Sequence, residues 1–221
     1  MINESLSSLQ FYIEKNNFKG YDPYDALKSP FFKLPILKTN KILRFLIQQL
    51  VKRLPFSVRG LLLVPKGCNP VTLGLSIQAY AYLIKHNPEK KNRNLKKINN
   101  LIEELIKMIP KGFSGACWGY DFDWEARNAK IPAYQPTIVA TGIITNALFV
   151  TYKITGNIRC AKLLESAVNF VINDLNRTYQ NDSFCFSYSP HDNQQVFNAS
   201  MKGVRLLAQA FHINGNRDYL R

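Results

Sequence analysis

The sequence predicts an all-α protein built from repeated helical hairpins. Three observations predict it. Apolar residues recur at helical spacing along most of the chain. Helices with a single apolar stripe alternate with helices that are apolar almost all round. The connections alternate as well: short turns follow the all-apolar helices, and long segments rich in Gly, Pro and aromatics follow the striped ones.

In chain order, a short helix is expected over 6–16. Tyr21-Asp22-Pro23-Tyr24-Asp25 then reads as a compact turn, and Pro23 and Pro30 mark an ordered non-helical segment. Leu43, Leu46, Ile47, Leu50 and Leu54 form the stripe of a helix whose outer face carries Lys41, Arg44, Gln48, Lys52 and Arg53. Residues 71–85 are apolar all round, which predicts burial all round. Leu95, Ile98, Leu101, Ile102, Leu105, Ile106 and Ile109 mark a second striped helix, with Lys96, Lys97, Asn99, Asn100, Glu103 and Glu104 opposite. Leu164, Ala167, Val168, Val171 and Leu175 mark a third. Residues 137–153 and 196–213 are again apolar all round.

The punctuation fits this reading. Gly156 and Gly215 sit where left-handed caps close helices. Pro70 and Pro136 open buried helices at the favoured first position. Gly156 to Gly215 is 59 residues and Pro70 to Pro136 is 66, a hairpin repeat. Such hairpins close into a double ring, buried helices inside and striped helices outside. Three complete hairpins and the start of a fourth fit the 221 residues, so 1–221 is expected to be one domain, about half a ring, incomplete at its C-terminal end. A fragment, or a ring completed by a partner, would follow, with an exposed apolar flank.

This pattern resembles the α/α-toroid proteins, in particular the six-hairpin glycosidase-like group of carbohydrate-active enzymes. More narrowly, Gly20-Tyr21-Asp22-Pro23-Tyr24-Asp25, the run Cys117 to Trp124 and Pro136-Thr137-Ile138-Val139-Ala140-Thr141 resemble an uncharacterised bacterial family associated with surface-polysaccharide biosynthesis. The resemblance implies a carbohydrate-active protein. It implies neither a reaction nor a substrate.

Lys plus Arg is 29 and Asp plus Glu is 15, a net charge of +14. The excess lies in residues 1–112, with 19 basic and 7 acidic groups. An anionic partner or a genome-driven Lys bias explains it equally. Arg–aromatic interleaving is lacking, so no nucleic acid is expected. No export signal and no long apolar run are visible, which makes the chain cytoplasmic, or peripheral to the inner face of the membrane. Residues 42–64 combine Lys41, Arg44, Lys52, Arg53 and Arg59 with an apolar stripe. They read either as an outer helix with a solvated basic face or as a surface for anionic lipid. The four cysteines have no short paired spacing, so free thiols are expected, with no metal and no cofactor. Walker, dinucleotide, HExxH and GxSxG patterns are absent, which argues against nucleotide hydrolysis and serine-hydrolase chemistry.

In a ring of hairpins the long connections emerge on one rim, so a site belongs on 55–69, 110–135 and 176–195. The middle connection carries both tryptophans and three acids within five positions. Extended, it would point Asp121, Asp123 and Glu125 to one face and Tyr120, Phe122 and Trp124 to the other. Crowded carboxylates split into acid and base roles, and Trp118, Tyr120 and Trp124 could stack on sugar rings. Arg127 would hold a uronic acid or phosphate. The same loop also reads as packed aromatics with structural ion pairs. In the third connection His191 and Asp192 could act as proton shuttle and partner, with Tyr188 as donor. Asn198 lies on the first turn of the following helix.

Three functions follow. The first is a carbohydrate-active protein performing cleavage, elimination or epimerisation, with Asp121, Asp123, Glu125, Tyr188, His191 and Asp192 catalytic. The second is a non-enzymatic scaffold of a polysaccharide-assembly complex. The third is an isoprenoid enzyme of terpene-cyclase or prenyltransferase type, which Asp121-Phe122-Asp123-Trp124 fits poorly at its fourth position.

Overall fold

The structure, a computed structural model, describes residues 2–125 and 130–220 and is mostly helical. Arg127 lies outside the described residues. Where the sequence reads as one domain, the chain groups into two compact units: Met1–Asn69 with Tyr120–Ala133, and Pro70–Gly119 with Tyr134–Arg221.

The first unit holds α1 (Ile2–Lys15), α2 (Pro35–Thr39), α3 (Lys41–Arg53) and a short antiparallel pair, β1 (Trp124–Glu125) with β2 (Lys130–Ile131). Two 3-10 turns, Asp25–Lys28 and Pro30–Lys33, fill the Pro-bounded segment. The Asn40 side chain caps α3 by accepting from the Leu43 amide at 3.0 Å. α3 packs chiefly on the turn Asp25–Lys28, on α2 and on β1.

The orientation of α3 overturns the sequence expectation. Its buried residues are Arg44, Gln48 and Val51. Of the expected stripe, Leu46 and Leu50 are 55% and 59% exposed, while Leu43, Ile47 and Leu54 are half-buried; Ile42 is 72% exposed. The helix turns its polar side inward because carboxylates and backbone groups wait there for Arg44 and Gln48. Two ion pairs and a set of hydrogen bonds outweigh the burial of Leu46 and Leu50.

The second unit is the predicted hairpin stack. α4 (Pro70–His86) pairs with α5 (Lys91–Lys107), and α6 (Ile138–Thr155) pairs with α7 (Ile158–Asn169), which continues as a wider turn over Phe170–Asp174. α8 (Phe197–Asn214) opens the next repeat. α6 is central: α4 and α8 flank it, while α5 backs α4 and α7 packs on both α6 and α8. The α5 stripe is buried at Ile98, Leu101, Ile102 and Leu105, and the α7 stripe at Leu164, Ala167, Val168, Val171 and Leu175. Gly156 and Gly215 take left-handed φ values of 69° and 73° and close α6 and α8. Close approach explains another glycine: a Cβ on Gly142 of α6 would lie 2.6 Å from Cβ of Lys202 in α8.

Three details differ from expectation. Pro136 precedes the cap rather than opening α6, and Thr137 caps it by accepting from the Ala140 amide at 3.1 Å. α4 and α8 are not buried all round: Leu75 and Tyr82, and Phe197, Met201 and Val204, are exposed. A second hairpin, β3 (Arg177–Gln180) with β4 (Ser183–Phe186), occupies the third connection. α6 is long and apolar enough to cross a membrane, yet half of it is buried among its neighbours, as suits the core helix of the unit.

Candidate functional site

Of the motifs that carry the resemblance to polysaccharide-biosynthesis proteins, residues 20–25 and 120–124 lie in the first unit, while residues 117–119 and 136–141 lie in the second. Asp22 accepts from the Tyr24 amide at 3.0 Å, which folds 21–25 into a tight turn. Arg59 fixes that turn by donating from Nε to Asp25 Oδ1 at 2.8 Å and from Nη2 to the Asp22 carbonyl at 2.7 Å. The strand that follows Tyr120 runs alongside. The Tyr24 and Trp124 rings meet edge to face at 6.4 Å, and Tyr120 stacks on Phe122 at 5.4 Å.

Each of the three carboxylates expected on the middle connection meets a cation. Lys28 Nζ donates to Asp121 Oδ2 at 2.8 Å. Arg44 donates from Nη2 to Asp123 Oδ2 at 3.1 Å and from Nε to Glu125 Oε2 at 3.0 Å. Asp123 and Glu125 thus meet the same guanidinium. Asp123 Oδ1 also accepts from the Ala133 amide at 2.9 Å. Gln48 completes the arrangement, donating to the Tyr24 carbonyl at 2.7 Å and accepting from the Glu125 amide at 3.2 Å. Among the described residues, Glu125 Oε1 is buried without a partner. Gly67 lies against the Lys28–Asp121 pair so closely that a Cβ there would fall 1.8 Å from Asp121 Oδ2.

Lys28, Arg44, Gln48 and Arg59 were not expected as site residues. The signal was in the charge pattern: residues 26–69 hold nine Lys and Arg and no acid, while the partner loop concentrates three acids. Two groups in this unit remain distinctive. Burial, reinforced by the nearby Asp25 and Asp121 charges, pushes the Asp22 carboxyl above its ordinary value. Burial also pushes the Tyr120 phenol up to about 12, with a smaller push from Asp22.

The other expected residues lie in the hairpin unit. Trp118 is fully buried, and its indole Nε1 donates to the Leu105 carbonyl at 2.9 Å. Its ring is a core plug and offers no face to a sugar. Asp192 organises its own turn: Oδ1 accepts from the amides of Tyr188 and Gln194 at 3.1 and 3.0 Å, and Oδ2 accepts from Ser189 Oγ at 2.6 Å. His191 is exposed and is not among the Asp192 partners, so the expected shuttle pair is not assembled. The Tyr188 carbonyl accepts from the Ile138 amide at 3.0 Å, joining the third connection to the start of α6. Asn198 is exposed on the first turn of α8. A groove of about 210 Å³ lies between β4 and α8, lined by Phe184, Phe197 and Met201 among others.

Comparisons with protein-family models, with curated proteins and with solved structures give no match.

Among the described residues, no three of His, Cys, Asp and Glu gather to hold a metal ion. Asp121, Asp123 and Glu125 are each tied within the fold, to Lys28 or Arg44, rather than presented to a substrate. In the first unit Tyr21 is exposed, Tyr24 and Trp124 are half-buried, and the Asp22 carboxyl is raised by burial.

Proposed function

We propose that the chain is a saccharide-binding scaffold of surface-polysaccharide metabolism, built on hairpins of the α/α-toroid type. The alternation of α4, α6 and α8 with α5 and α7 supports the toroid-type architecture. One observation carries the preference for binding over cleavage: Asp121, Asp123 and Glu125 are all held by Lys28 and Arg44. The same pairing speaks against an isoprenoid cyclase, which needs an unpaired acid in that motif. The ligand surface in this reading is Tyr21, Tyr24 and Trp124, with Lys52 lying over the Tyr24 ring and Arg59 over the Tyr21 ring. Cytoplasmic placement is part of the proposal and is supported by the absence of a disulfide among the described residues.

Titration calorimetry against acidic and neutral oligosaccharides tests it. Saturable binding that Trp124→Ala and Tyr21→Ala weaken by about tenfold or more, with no turnover, is the expected result. Absence of binding by the folded chain overturns it. A second reading, proton-transfer chemistry on a sugar, rests on the raised carboxyl of Asp22. It is favoured instead if the chain consumes an oligosaccharide and Asp22→Asn stops the reaction while leaving affinity intact.

A further inference from the structure

The exposed side of α2 and α3 is not part of the proposed saccharide surface. Ile42, Leu46 and Leu50 lie in one row, four residues apart, and all are exposed. Ile36, in the adjoining α2, is 77% exposed. The row does not belong to a loosely held helix. Its opposite side is fixed by the Arg44 ion pairs to Asp123 and Glu125 and by Gln48 bonded to the backbone at Tyr24 and Glu125. Rolling the aliphatics inward would break every one of these contacts. The apolar row is thus clamped outward.

Charge indicates what the row meets. Residues 26–69 carry nine Lys and Arg and no Asp or Glu. Lys28, Arg44 and Arg59 are used internally, on Asp121, on Asp123 with Glu125, and on Asp25. Lys33, Lys38, Lys41 and Arg53 are exposed on the turn before α2, on α2 and on α3 itself. Aliphatic side chains among cations match the boundary between acyl chains and phosphate headgroups. A second copy of the chain would bring two cationic faces together and repel. A nucleic acid would call for stacking aromatics rather than aliphatics.

We propose that α2 and α3 seat the first unit on an anionic lipid surface, Ile36, Ile42, Leu46 and Leu50 entering the headgroup boundary and the neighbouring Lys and Arg meeting phosphates. An ordinary interfacial helix turns its polar face to water. This one turns it to the protein, so the helix is already folded and oriented before it meets the membrane. The acidic loop then serves as the clamp that holds the helix in this pose. The inference does not depend on the saccharide reading, and it survives if no sugar binds.

Vesicle co-sedimentation of the full chain tests it, with phosphatidylcholine alone or mixed with phosphatidylglycerol. The expected result is binding to the anionic vesicles that weakens with salt. Leu46→Ser with Leu50→Ser is expected to reduce it by about tenfold or more, as is Lys38→Glu with Lys41→Glu. Lys90→Glu with Lys91→Glu, the same charge change on the second unit, leaves it intact. All six positions are exposed, and circular dichroism confirms that each variant stays folded. No binding to anionic vesicles overturns the proposal. So does an equal loss in the Lys90/Lys91 control, or no loss in the Leu46/Leu50 variant. Sedimentation velocity supplies a further contradiction: a dimer dispersed by Leu46→Ser with Leu50→Ser would assign the face to a second copy.

Discussion

The two units are held together by different forces. In the hairpin unit the interior is aliphatic and aromatic: Leu73, Ile77, Ile98, Ile102, Leu105, Ile144, Leu148, Leu164 and Phe170 are almost fully buried, with Trp118 at the centre. In the other unit Asp25, Ser29, Arg44, Gln48, Asp121 and Glu125 are buried beside Ala26, Leu27, Phe32, Val51 and Phe122. One interior is specified by volume and the other by charge. An aliphatic interior tolerates small shifts of a helix about its axis. A buried ion pair does not, because a misplaced partner leaves an uncompensated charge. That is why the polar interior can hold α3 in an orientation that its hydrophobicity opposes.

Truncation at the two centres gives the largest effects. Trp118→Ala removes a buried ring and its hydrogen bond and should cost about 3–5 kcal/mol, read from chemical denaturation. Arg44→Ala strands the Asp123 and Glu125 carboxylates, with an expected cost of about 3–5 kcal/mol. It should also raise hydrogen exchange along α3 while leaving α6 protected. A loss confined to less than about 1 kcal/mol would show that the pairs are screened and that charge does not specify this unit.

Leucine truncation sharpens the contrast. Leu148→Ala, in the aliphatic interior, should cost about 2–5 kcal/mol. Leu46→Ala, the same change on the exposed row of α3, should stay within about 0.5 kcal/mol. Equal costs would dissolve the distinction.

Asp22 gives a smaller, pH-dependent effect. Its carboxyl is raised by burial, with the Asp25 and Asp121 charges adding to the shift. Above the ordinary carboxylate value the folded chain therefore binds more protons at this site than the unfolded chain does. Stability contributed by Asp22 falls as pH rises through that window and is restored on acidification. Asp22→Asn should flatten this part of the pH profile and leave the chain slightly more stable at neutral pH. A profile that Asp22→Asn leaves unchanged would contradict the assignment. The smallest effect concerns thiols. Burial pushes Cys117 and Cys160 up to about 12, so neither should be alkylated at neutral pH without unfolding.

The same contrast explains what the sequence makes legible. In the hairpin unit each helix meets another apolar helix, so the stripe on α5 and the stripe on α7 point where periodicity says. Gly156 and Gly215 are readable because a left-handed cap has few alternatives to glycine. α3 is misread by the same rule, since its stripe of Leu43, Leu46, Ile47, Leu50 and Leu54 is as regular as any. Nothing local to 41–54 announces that Arg44 has partners about 80 residues away at Asp123 and Glu125. In the candidate site, the clustering of Asp121, Asp123 and Glu125 on one connection is legible. The roles assigned to Trp118 and to His191 with Asp192 are not, because residue type shows what a side chain can do and not whether it faces solvent. The cue that was present, a long cation-only segment beside an acid-rich loop, is a property of two distant stretches taken together.

The orientation of α3 is the claim on which the rest depends, and site-resolved alkylation tests it directly. Leu46→Cys and Val51→Cys would be exposed in turn to a thiol reagent in the folded chain, with modification at each site read by mass spectrometry. Leu46 is 55% exposed and Val51 is 5% exposed. The account predicts that Cys at 46 reacts nearly as fast as in the denatured chain while Cys at 51 is strongly protected. Fast reaction at 51 with protection at 46 would place the aliphatic row inside, remove the clamp, and leave the acidic loop open to a catalytic role.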